Sequence, residues 1–135
     1  MNVSDFIVPD DRKLEVAMLG LTVLACGGRD YADYDKVAEV LGQLHTQYGI
    51  TTIVHGAAKG ADTLAEWWAR ANNVENKAYP AEWGRHGNAA GPIRNLKMLS
   101  CEKPHVVVAF PGGRGTDHMK KIAKAANYAV VEVGK

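Results

Sequence analysis

Three apolar runs in this chain each end in a glycine-bearing loop and then pass into a helical pattern. That repetition restricts the fold more than any other feature. Leu21-Thr22-Val23-Leu24-Ala25 leads into Cys26-Gly27-Gly28-Arg29-Asp30. Ile50-Thr51-Thr52-Ile53-Val54 leads into His55-Gly56-Ala57-Ala58-Lys59-Gly60-Ala61-Asp62. Val106-Val107-Val108-Ala109-Phe110 leads into Pro111-Gly112-Gly113-Arg114-Gly115-Thr116. Short apolar, partly β-branched runs bounded by turn residues are the mark of buried strands. Strands alternating with helices build βαβ units, which pack as a parallel sheet covered on both faces. The expected fold class is therefore α/β: a three-layer Rossmann-like sandwich around a mostly parallel five-stranded sheet.

The rest of the pattern fits this frame. Strands are expected near 21–25, 51–54, 76–79, 105–110 and 129–133, and helices near 34–48, 62–71, 89–100 and 117–126. Val37, Val40, Leu41, Leu44 and Tyr48 form one apolar stripe, closed by Gly49 as a C-terminal cap. Met119, Ile122, Ala123 and Ala126 form another. Residues 1–19 show no clear period and read as an N-terminal extension to a domain spanning 20–135. The loop over 80–88 is longer than most connections of its kind, and such loops are often functional.

At 135 residues the chain has the length of one domain with a real core. Its formal net charge of +1 and the absence of a basic run disfavour a dedicated nucleic-acid binder, because phosphate contacts need concentrated Lys and Arg. No apolar stretch approaches the roughly 20 residues that span a bilayer, and no signal-peptide pattern opens the chain. Cys26 and Cys101 stand apart, outside any Cys-x-x-Cys pair, and the His residues lack ligand spacing, so neither a disulfide nor a metal site is expected. A cytoplasmic location follows as the expectation.

In an open parallel sheet the carboxyl ends of the strands share one side, so the three loops converge on one crevice. Glycine lets a backbone approach a ligand closely. The start of a helix offers unpaired N–H groups and the positive end of a dipole. One phosphate-bearing, nucleotide-like ligand accounts for the three loops together; separate tight turns account for each alone.

The loops, with Ala90-Gly91-Pro92-Ile93-Arg94-Asn95, resemble the YspA-type, cpYpsA-related branch of the SLOG superfamily, Rossmann-like relatives of the LOG and DprA/Smf proteins. The likeness runs from about Leu21 to Val133. It implies a Rossmann-like fold and a pocket for a nucleotide or an ADP-ribose-like ligand, without a settled reaction. LOG enzymes release the base from nucleoside monophosphates. Their Pro-Gly-Gly-x-Gly-Thr motif is followed, after one residue, by a catalytic glutamate. Here that position is His118, the next is Met119, and Asp117 falls one residue early, about 100° around the helix. Arg94 is the nearest counterpart of the LOG arginine. The phosphate half of the motif matches and the acid half departs.

Each candidate carries two readings. Pro111, Gly112, Gly113, Gly115 and Thr116 suit phosphate contact, and the Thr116 hydroxyl also suits a helix cap. Arg94, with Gly91 and Asn95 in the same motif, can pair bidentately with phosphate or form a surface ion pair. Beside Gly27 and Gly28, Arg29 and Asp30 either tie their loop or let Asp30 hold a ribose hydroxyl. Asp62 and Asp117 suit the helix dipole, or act in general acid–base chemistry. His55, beside Gly56 and ahead of Gly60, contacts a ligand or bridges loops. Trp83 stacks on a base or plugs its loop. Trp67 and Trp68 point about 100° apart on a helix, so with Trp68 in the core Trp67 is left for a partner, and a homodimer or higher homo-oligomer is expected.

The leading expectation is binding of a nucleotide or nucleotide-derived small molecule, as a sensing or a processing step. Its alternative is N-glycosidase or nucleotide hydrolase chemistry, with Arg94, Asp117 and Asp62 as candidate catalytic groups. Single-stranded DNA binding, as in the DprA relatives, comes third because the charge is near neutral.

Overall fold

Successive side chains of a strand point to opposite faces, and a parallel sheet buries both. The computed structural model, which describes residues 1–134, shows this directly. In β1 (Leu21–Cys26), Leu21, Val23 and Ala25 enter one core while Leu24 and Cys26 enter a second. β4 (Val106–Ala109) divides Val106 and Val108 from Val107 and Ala109 in the same way. Burying such a side chain fully stabilises by roughly 1.5–3 kcal/mol, so this two-sided pattern drives the fold. β2 (Ile50–His55), β3 (Glu75–Ala78) and β5 (Val130–Glu132) complete an all-parallel sheet in the order β3-β2-β1-β4-β5. The expected three-layer sandwich is the one found.

After α1 (Lys13–Leu19), the helices divide between the faces. α2 (Tyr34–Tyr48) and α3 (Ala61–Ala71) cover the first with Val37, Leu41, Leu44, Leu64 and Trp68. The second is covered by Met98 and Leu99 of α5 (Ala90–Glu102) and by Met119 and Ala123 of α6 (Arg114–Ala125). Besides α1, which lies in a stretch where no helix was expected, two elements depart from expectation. α6 starts at Arg114, three residues earlier than its apolar stripe indicates, because Gly112-Gly113 makes the turn before the stripe begins. The loop over 80–88 contains a short helix, α4 (Trp83–His86), followed by a 3₁₀ turn over Gly87–Ala89. Gly49 ends α2 at φ 77°, as a glycine cap should.

Strand order runs outward from β1 through β2 to β3 on one side, and from β4 to β5 on the other. The reversal lies between β1 and β4. In sheets of this kind ligands bind beyond the carboxyl ends of the strands at such a reversal. The loops at that point are the two carrying Gly27-Gly28 and Pro111-Gly112-Gly113. Among the described residues no helix is long and apolar enough to cross a membrane.

Residues 1–19 lie against the body of the domain. Phe6, Val8 and Val16 are buried in the first core, and the Phe6 ring meets Tyr48 edge-on. The Met1 carbonyl accepts a hydrogen bond from Glu132 N at 2.9 Å, beside the edge strand β5. His105 fastens α1 to the sheet. Its Nδ1 accepts from Thr22 N at 2.9 Å and its Nε2 meets the Glu15 carboxylate at 2.5 Å. Arg12 reaches across to the carbonyls of Lys103 and Pro104.

Burial and, second, the Arg12 charge hold the His105 pKa below its ordinary 6.5, against the pull of Glu15. The unfolded chain therefore takes up this proton more readily than the folded one. Stability from this group is complete above about pH 6.5 and falls as the pH drops below it. Urea unfolding from pH 7.5 to 5 should show a steeper loss of stability for the parent than for His105→Gln. Equal slopes would remove His105 as the cause.

Candidate functional site

The backbone of one residue, Gly28, joins the two loops at the strand reversal. Gly28 N donates to the Pro111 carbonyl at 2.8 Å, and the Gly28 carbonyl accepts from Ala61 N at 3.1 Å and Tyr31 N at 3.2 Å. The loops after β1 and β4 and the start of α3 thus meet backbone to backbone. A Cβ on Gly27 would stand 2.5 Å from the Ala61 Cβ, and one on Gly112 would stand 2.6 Å from Gly28 N. Gly60, at φ 79°, faces the carbonyls of Gly28 and Arg29 with no room for a side chain. These glycines are required by contact among the loops themselves. Gly113 and Gly115 differ: a Cβ on either meets nothing within 4 Å.

The loops enclose a cavity of about 860 Å³. The start of α6 forms one wall. Gly113 is the N-cap, and the first helical bond runs from Asp117 N to the Gly113 carbonyl at 2.9 Å. The N–H groups of residues 113–116 therefore have no helical partner. Thr116 is the third helical residue and is buried, so it does not cap the helix as the sequence suggested; the early start of α6 moved it inward. Gly113 itself holds a φ of −105°, outside the left-handed region.

The loop after β2 behaves differently from its sequence expectation. Its amides turn inward: Gly56 N and Ala58 N donate to Asp62 Oδ2 at 3.1 and 3.2 Å, and Ala57 N donates to His55 Nδ1 at 3.0 Å. These three N–H groups are not free for a ligand. His55 is 2% exposed and does not line the cavity; its Nε2 lies 3.1 Å from Glu66 Oε1, off hydrogen-bonding alignment. Gly60 also lies outside the lining. Asp62 does line it, and burial raises its carboxyl pKa against the opposing pull of the Ala58 amide, His55, Arg94 and the Gly56 amide.

Arg94 reaches from α5 across the cavity floor. Its Nη1 donates to the Gly56 carbonyl at 2.5 Å and its Nε to Asn95 Oδ1 at 2.9 Å. Burial, the larger cause, lowers its pKa. The buried Asn95 then ties α5 to α6: its Nδ2 donates to the Gly115 carbonyl at 3.2 Å and lies 3.1 Å from His118 Nδ1. With Asn95 Nδ2 as donor, His118 Nδ1 accepts and the ring proton sits on Nε2. At the cavity mouth the Arg29 guanidinium lies 5.8 Å from the centre of the Trp83 ring. Asp30, Gly91 and Pro111 complete the expected lining.

Asp117, like His55 and Gly60, is a candidate that the structure leaves outside the cavity. Its side chain is 69% exposed, pairs with Lys120 at 3.5 Å, and does not line the cavity. His118 takes that place, along with Tyr31, Met98 and Arg114, none of which the sequence reading had singled out as ligand contacts. The signal for His118 was present: it stands four residues before Ile122 on the apolar stripe of α6.

Glycine identity separates into two classes with measurable consequences. Gly60→Ala should cost about 2 kcal/mol or more, from a positive φ and a backbone collision. Gly113→Ala should stay within about 0.5 kcal/mol of the parent. Urea titration of both variants checks this, and equal losses would contradict the division.

The model of the family described as YspA, cpYpsA-related SLOG matches residues 21–86, from β1 to α4. The chain is also 37% identical over 121 residues to the Gene 61 protein of Mycobacterium phage D29, an alignment covering 83% of this chain and 95% of the phage protein. With its sheet order, its loops and these similarities together, the chain belongs to the YspA, cpYpsA-related SLOG family.

Proposed function

We propose that the chain binds a nucleotide or nucleotide-derived small molecule, with a phosphate at the start of α6. The observation that carries this reading is the set of N–H groups over residues 113–116, free of helical partners on the wall of a concave cavity. Such a helix start favours an anion through both its donors and its dipole. Arg94 and the His118 Nε2–H add donors in the same cavity. Trp83, beneath Arg29, offers a face for a base, and Asp30 an acceptor for a ribose hydroxyl. A volume of about 860 Å³ suits a ligand of nucleotide size. An ADP-ribose-like compound falls in this class. Trp67, 55% exposed on α3, would meet a second copy in a homodimer.

Calorimetry should find adenosine 5′-monophosphate binding at least tenfold more tightly than adenosine. Gly113→Val should abolish the binding while the chain stays folded, because its side chain enters open space in the cavity. No advantage for any phosphorylated compound over its parent nucleoside would overturn the reading.

A second reading, cleavage of an N-glycosidic bond in the same cavity, is favoured by one observation: Asp62 is a cavity-lining carboxyl whose pKa is raised, as an acid catalyst requires. Against it, Asp62 Oδ2 is committed to two backbone amides, and His118 stands in the place of the glutamate of the LOG enzymes. General acid–base help contributes about 10²–10⁴-fold. Chromatography of adenosine 5′-monophosphate incubated with the protein should therefore show no efficient adenine release. Rapid release that is lost in Asp62→Asn, with binding kept, would make cleavage the function.

A further inference from the structure

A smaller recess of about 340 Å³ adjoins the cavity. It lies at the carboxyl ends of β2 and β3, walled by the Gly56–Lys59 turn and by Pro80 and Ala81, and shares Arg29, Trp83 and Arg94 with the larger space. Its charged lining groups are Arg29, Lys59 and Arg94, with no carboxylate among them. Among the described residues Arg29 and Lys59 form no ion pair, and Arg94 makes its bonds to carbonyls and to Asn95. Asp62, outside the recess, faces Arg94 and draws its pKa up more strongly than Arg29 pushes it down, whereas Arg29 and Lys59 have no carboxylate partner among the described residues, so cations outnumber the one neighbouring carboxylate around this concavity. In a chain of net charge +1 this concentration is local rather than a general surplus.

We propose that this recess is a second anion subsite, and that the ligand carries two separated phosphate groups, one at the start of α6 and one among Arg29, Lys59 and Arg94. The inference rests on the nucleotide reading of the larger cavity. Sheet order sets the separation. α6 follows β4, the recess follows β2 and β3, and β1 lies between them. Two strand spacings amount to about 10 Å. Adjacent phosphates of a pyrophosphate do not span that distance. A nucleotide phosphorylated at both ends of its sugar, or a longer nucleotide-derived compound with a terminal phosphate, comes far closer. The bridging groups suit this arrangement: Arg94 lies on the wall of both spaces, and the stacked Arg29–Trp83 pair stands at their junction.

The test compares adenosine 5′-monophosphate, adenosine diphosphate, and the 2′,5′- and 3′,5′-bisphosphates of adenosine by calorimetry. At least one separated bisphosphate should bind tenfold or more tightly than both the monophosphate and the diphosphate. Lys59→Glu should remove that gain and leave monophosphate affinity as in the parent. Lys59 is exposed, unpaired and outside the larger cavity, so the variant should fold, which circular dichroism checks. A gain equalled by the diphosphate, or one that survives Lys59→Glu, overturns the subsite. Monophosphate binding with no gain for either bisphosphate also overturns it, while the nucleotide reading stands. Failure of all four compounds defeats the nucleotide reading itself. An equal gain from inorganic phosphate added beside the monophosphate would overturn the claim that one ligand spans both spaces.

Discussion

The site depends on the backbone of Gly28. Its N–H bonds the loop after β4 and its carbonyl bonds the start of α3, so the two peptide groups that flank one Cα set the relative positions of three elements. Contact this close excludes side chains, which is why Gly27, Gly28, Gly60 and Gly112 are glycines. Their role is to bring the loops together. Gly113 and Gly115, whose Cβ positions are open, are under no such constraint. A glycine-rich motif of this kind thus mixes constrained and unconstrained positions, and the packing of the loops separates them.

The loop after β2 supplies rigidity instead of donors. Ala57 holds φ 58°, a left-handed conformation that costs a non-glycine residue of order 1 kcal/mol or more and persists only where surroundings over-determine it. Here they do: the amides of Gly56, Ala57 and Ala58 are each fixed by a buried side chain, Asp62 or His55. Turning the amides inward leaves the Gly56 carbonyl to accept from Arg94. Two buried polar residues that look like ligand contacts in the sequence therefore act first on the loop, and the loop in turn positions the arginine.

The sheet was legible because burial on both faces makes parallel strands into continuous apolar runs, and β1, β2 and β4 are such runs. β3, Glu75–Ala78, is an edge strand with mostly exposed side chains, so only its place in the alternation revealed it. The convergence of loops was legible from topology alone. The direction of individual groups was not. Three glycine loops suggested three anion cradles, whereas the amides of one are bound internally and the Gly28 amide of another is bound to Pro111. α4 was hidden because Gly84 and Gly87 argue for a loop. Residues 1–19 place their apolar groups in no helical or strand period, yet Phe6, Val8 and Val16 reach the core one at a time.

Helix phase decides the chemistry at the start of α6. With Arg114 as its first residue, Gly115, His118 and Met119 share one side and Asp117 turns about 100° away. In the LOG enzymes that His118 resembles in position, a glutamate would stand here. A carboxylate beside a phosphate would repel it, and is useful only where acid–base chemistry repays that cost. An imidazole whose Nδ1 accepts from Asn95 offers instead an Nε2–H, a donor that suits a phosphate oxygen without needing a charge. Asn95 is itself held by Arg94 and Gly115, so arginine, amide and imidazole form one hydrogen-bonded chain along the cavity wall. The chain of hydrogen bonds thus fixes which way the imidazole donor faces, as the phase of the helix fixes which side chain stands there.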